Sequence, residues 1–120
     1  MFNPQLTFDV LRENDASLAE YYVMGTVAYG IFLSPEELAR QSLKLSDGDP
    51  CGTFPEQTHL EAVSSCIEKK WLETVTLERQ RGDDILDIGT VDFTPEGFAL
   101  YRRIINKIFD EDFVIGYENL

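Results

Sequence analysis

The sequence predicts a mainly helical α+β domain: helices, then a two-stranded β-hairpin, then a C-terminal helix. Three observations carry this reading. Apolar residues recur at three- and four-residue spacing through most of the chain. From Trp71 to Phe93 the spacing changes to alternation, broken by a charged turn around Gly82. Ser34-Pro35 and Thr94-Pro95 each place a capping hydroxyl before a proline, which marks a helix start.

The elements follow in order. Leu6, Phe8 and Val10 alternate with Thr7 and Asp9, so a short N-terminal strand or arm is expected. Asp15 or Ser17 then caps a helix running to about Phe32. One stripe of that helix holds Leu18, Tyr21, Tyr22, Gly25, Ala28, Tyr29 and Phe32. A second apolar stripe holds Val23, Val27 and Ile31, with Met24 beside them. A helix apolar on two sides is either central to the core or shared with a partner subunit. Ser34-Pro35-Glu36-Glu37 opens the next helix, whose apolar side is Leu38, Ala39 and Leu43. Gly48, Pro50, Gly52 and Pro55 then forbid regular structure.

A helix from Pro55 or Glu56 to about Lys70 would bury Leu60, Val63, Ile67 and Trp71. Trp71 to Leu77 and Ile85 to Phe93 are the two strands. Thr94 caps the last helix, with Phe98, Tyr101, Ile105 and Ile108 inward and Arg102, Arg103, Asn106 and Lys107 outward. Phe113 to Leu120 forms an apolar tail. The expectation is one domain over residues 1–120, with its core over about 15–109.

At 43% apolar residues the chain can build a core without disulfides or metal. Its two cysteines, and the lack of a signal-peptide pattern, point to a reducing cytoplasm. The net charge of -12 is spread along the whole chain, and no segment is basic. That balance disfavours nucleic acid and anionic membrane surfaces as partners. The uncharged run Tyr21 to Pro35 is too short to span a bilayer.

Cys66-Ile67-Glu68-Lys69-Lys70-Trp71-Leu72, the hairpin, and Thr94-Pro95-Glu96-Gly97-Phe98-Ala99-Leu100-Tyr101 together resemble winged helix-turn-helix proteins of the MarR and PadR types. The resemblance implies a winged-helix-like fold in which the helix before the hairpin reads DNA and the hairpin is the wing. It also implies that terminal helices form a dimer interface. Two departures matter. Such families often place glycine, in a left-handed turn, where this chain has Lys70. The would-be recognition helix carries Glu56, Glu61 and Glu68, with Lys69 and Lys70 only at its far end. A DNA reader puts cations near phosphates at these places.

No catalytic constellation is expected. His59 has no partner set by a motif, and Cys51 and Cys66 lack zinc-ligand spacing. Asp47-Gly48-Asp49-Pro50-Cys51-Gly52 begins like a calcium loop, but Cys51 and Thr58 stand where oxygen ligands are needed. Tyr21, Tyr22 and Tyr29 are read as core residues rather than the lining of a ligand pocket.

The expected function is therefore a non-enzymatic, winged-helix-like domain acting through protein–protein contacts, with a regulatory role. It needs no cofactor or metal, and its partner is another protein or a second copy. Val23, Met24, Val27 and Ile31 are the candidate dimer interface. The alternative is a sequence-specific DNA-binding transcription regulator, with His59, Lys69, Lys70, Arg79 and Arg81 as candidate nucleic-acid contacts. A further alternative is a small-ligand sensor without catalysis.

Overall fold

The local signals in the sequence lead to seven elements among the described residues of the computed structural model, which are 4–29, 33–49, 51–82 and 84–109. They are α1 (Pro4–Glu13), α2 (Leu18–Ala28), α3 (Pro35–Ser46), α4 (Glu56–Glu68), β1 (Leu72–Arg81), β2 (Asp84–Phe93) and α5 (Pro95–Ile108). The result is a mainly helical α+β arrangement with a two-stranded antiparallel sheet. The hairpin keeps one register from Leu72 opposite Phe93 to Arg81 opposite Asp84. Leu33 adds a single bridge to Val91, whose N–H donates to the Leu33 carbonyl at 2.9 Å.

The helix starts follow from capping chemistry. Ser17 and Glu20 form a reciprocal capping box on α2. Ser34 accepts from the Glu37 N–H on α3, and Thr94 from the Gly97 N–H on α5, each with proline opening the helix. Pro55 precedes α4 without a side-chain cap.

The first ten described residues correct the expectation of a strand. Thr7, Val10 and Leu11 are buried at helical spacing, and Leu6 and Phe8 lie exposed. The alternation of Leu6, Phe8 and Val10 was compatible with a strand only while Thr7 was counted as polar surface. Its side chain packs fully inside.

α2 is the centre of the molecule. Leu18, Ala19, Glu20, Tyr22, Val23, Met24, Thr26 and Val27 are all buried, and only the side of Tyr21, Gly25 and Ala28 is not fully enclosed. This corrects the dimer-interface expectation: Val23, Met24 and Val27 belong to the chain's own core, and Ile31 lies outside the described residues. α3 and α4 pack on α2, with Leu38, Ala39, Ala62, Val63 and Cys66 completing the interior. The buried face of α4 is rotated from expectation. His59, Ala62, Val63 and Cys66 occupy its centre, with Leu60 and Ile67 at the flanks. On α5 the deepest residues are Gly97, Leu100, Ile104 and Ile105, and Phe98, Tyr101 and Ile108 are half-buried.

Two helix ends are built alike. At the end of α4 the Trp71 N–H donates to the Cys66 carbonyl at 2.9 Å and the Lys70 N–H to the Ile67 carbonyl at 3.0 Å. At the end of α1 the Ala16 N–H donates to Leu11 at 2.9 Å and the Asp15 N–H to Arg12 at 3.2 Å. These are the paired bonds of a Schellman motif, which needs a left-handed residue just past the helix. Lys70 (φ 64°) and Asp15 (φ 55°) hold that conformation without being glycine. Lys70 therefore keeps the left-handed turn although it departs from the glycine that the resemblance implies there.

Gly97 fixes how α5 joins the hairpin. A Cβ at this position would lie 1.8 Å from the Trp71 carbonyl oxygen. The approach is locked by Thr94, whose hydroxyl donates to the Lys70 carbonyl at 2.6 Å and whose N–H donates to Trp71 at 3.1 Å.

Candidate functional site

Two regions could meet another molecule: the outward side of α4 with the hairpin, and a cavity between α2 and α5.

The outward side of α4 is Gln57, Glu61, Ser64 and Glu68, exposed at four- and three-residue spacing. It carries two carboxylates and no cation. Lys69 and Lys70 follow at the end of the helix, both exposed. Lys69, however, is held inward. Its ammonium donates to Glu20 Oε1 at 3.1 Å and to the Asp15 carbonyl at 2.9 Å, and it sits 4.5 Å from the centre of the Trp71 ring. Glu20 is almost wholly buried and accepts from the Ser17 N–H at 2.9 Å and the Ser65 hydroxyl at 3.0 Å. Glu20 and Lys69 together thus tie the start of α2, the end of α1 and the end of α4. The Ser17-x-x-Glu20 spacing was the sequence signal for half of that role. The other half needed the tertiary fold.

Arg79 and Arg81 stand on the outer half of β1, opposite Leu86 and Asp84. Their side chains lie outside what is described. His59 does not join the cations. It is fully buried, and its Nδ1 lies 2.7 Å from the Ser42 hydroxyl. Its ring stacks near Tyr22 at 6.2 Å and meets Phe54 edge-on at 6.1 Å. Burial lowers its pKa, which keeps the ring neutral near pH 7. A buried neutral imidazole offers nothing to a phosphate, so His59 drops from the candidate contacts.

The cavity has a volume of about 300 Å³. α2 supplies Tyr21, Tyr22, Gly25, Ala28 and Tyr29 along one side. α5 supplies Tyr101, Arg102, Ile105 and, just beyond its end, Phe109. Leu45 of α3 and Asp49 of the following loop complete it. Gly25 makes the space: a Cβ there would sit 3.4 Å from the Tyr101 hydroxyl and 3.7 Å from Leu45. Tyr21 stacks on Tyr101 at 6.1 Å, and the Tyr22 hydroxyl donates to the Gly52 carbonyl at 2.8 Å. Burial, then the Asp49 charge, push the Tyr21 phenol up to about 12 and raise Tyr22 as well. Both phenols stay protonated and present neutral rings. The volume is at the lower end for small-molecule pockets, and the lining is apolar with a few polar groups. The sequence favours Tyr21, Tyr22 and Tyr29 as core residues over the lining of a ligand pocket. Tyr22 is buried, whereas Tyr29 is 70% exposed at the rim. Only the crossing of α2 and α5 turns these rings into a lining.

The two cysteines are free: Cys51 half-buried in the loop and Cys66 buried in the core. Burial raises the pKa of both thiols, which leaves them poor nucleophiles. Among the described residues, no three His, Cys, Asp or Glu side chains gather as metal ligands. No family model, curated protein or solved structure matches this chain.

Proposed function

We propose that this chain is a non-enzymatic, winged-helix-like interaction domain that acts through protein contacts in a regulatory role, with the hairpin as its wing. The observation that supports the reading is the outward stripe of α4. Gln57, Glu61, Ser64 and Glu68 expose two carboxylates where a DNA reader would need neutral or cationic groups. The whole chain, at -12, adds repulsion for a phosphate backbone. Lys69 is spent on Glu20, and His59 is enclosed, which removes two of the five cationic candidates. A partner with a basic surface suits this face.

Fluorescence anisotropy with a mixed-sequence DNA duplex at low salt tests the reading. No saturable binding is expected. Binding that weakens steeply as salt rises would sink the reading and restore the DNA-regulator alternative, since such a slope reports neutralised phosphates. A partner captured by the wild-type chain should be lost on reversing both charges, Glu61→Lys with Glu68→Lys. Capture that survives the reversal would remove α4 from the interface.

A further inference from the structure

We infer that the cavity between α2 and α5 binds a small apolar organic cation: an ammonium group carried on an aromatic or alkyl body. The lining chemistry selects this class. Tyr21, Tyr22, Tyr29 and Tyr101 place four aromatic rings around the space. The face of such a ring carries partial negative charge and attracts ammonium ions. Asp49 adds a full negative charge to the same wall. Its backbone-facing oxygen already accepts from the Cys51 N–H at 2.8 Å, which holds the carboxylate in place. The net charge of -12 raises the local concentration of cations and repels anions.

Arg102 is the one cation in the lining, and its position decides whether the class could be reversed. Its guanidinium carbon lies 5.8 Å from the ring of Phe98, one turn back along α5. Phe98 does not line the cavity. The guanidinium of Arg102 is thus engaged by a ring outside the cavity. A carboxylate ligand would meet the Asp49 charge and would have to compete with the Phe98 ring for Arg102.

Calorimetric titration of the full chain with three probes of one shape tests the inference. The probes are phenethylamine, phenethyl alcohol and hydrocinnamate. The amine should bind about tenfold more tightly than the alcohol, and the alcohol more tightly than the acid, a difference typical of one charge-assisted contact. Asp49→Asn should erase the preference for the amine while leaving the alcohol unchanged. Gly25→Ala should weaken all three probes by placing a methyl group beside Tyr101. It should not lower the melting temperature, because alanine is the better helix former inside α2. Hydrocinnamate binding as tightly as the amine would overturn the inference. So would amine binding that neither variant changes, or no saturable binding of the amine at millimolar concentration.

Discussion

His59 shows what one buried side chain contributes. Among the described residues it has a single hydrogen-bond partner, Ser42, and its Nε2 has none. Protonation would place an unpaired charge among Tyr22, Phe54 and Ser42. In the unfolded chain the ring titrates near 6.5; in the folded chain its pKa is lower, by burial. Between those two values the unfolded state binds the extra proton and the folded state does not. Stability is therefore complete above pH 6.5 and falls as the pH drops below it. The slope can reach about 1.4 kcal/mol per pH unit. Urea unfolding at pH 7 and pH 5.5 should show the loss in the wild type, and little of it in His59→Gln. Equal losses in both proteins would move the origin of the effect to the carboxylates.

At the scale of elements, the helix ends carry as much information as the helices. α1 and α4 both stop in a Schellman turn, and the Lys69 ammonium donates to the Asp15 carbonyl, so the two turns are joined. The left-handed residue in each turn carries a Cβ and therefore some strain. Lys70→Gly should raise stability by about 1 kcal/mol, because glycine adopts this φ without penalty. Lys70→Ala should give no such gain, since alanine keeps the Cβ. Thermal melting of the two variants separates backbone strain from loss of the lysine side chain. An equal gain in both would place the cost in the charge.

The junction after the hairpin follows the same logic with the opposite residue. Gly97 sits against the Trp71 carbonyl, where no Cβ can stand. The glycine in Thr94-Pro95-Glu96-Gly97 is thus a packing requirement between α5 and the start of β1. Its role at this junction is steric, and it carries no information about what the domain binds.

For the whole molecule, α2 decides how the helices assemble. A helix buried on nearly every side leaves no apolar stripe for a second copy along Val23, Met24 and Val27. Val27→Asp should therefore abolish folding rather than release a soluble monomer, at a cost above about 4 kcal/mol for burying an unpaired charge. Circular dichroism and sedimentation check this together. A folded monomer with native helix content would return Val27 to an interface. No helix among the described residues is long and apolar enough to cross a membrane.

The sequence by itself determined the elements whose causes are local. Ser34-Pro35 and Thr94-Pro95 started two helices, and alternation made the hairpin. Each depends on bonds or sterics within a few residues, so a short window contains the whole reason. Tertiary structure decided everything that depends on which surfaces meet. It turned residues 4–13 into a helix by burying Thr7, and rotated α4 to enclose His59. It assigned the second stripe of α2 to the core and opened a tyrosine-lined cavity where Gly25 passes Tyr101. Periodicity reports that a face is apolar; the partner of that face is set by packing between segments far apart in the chain.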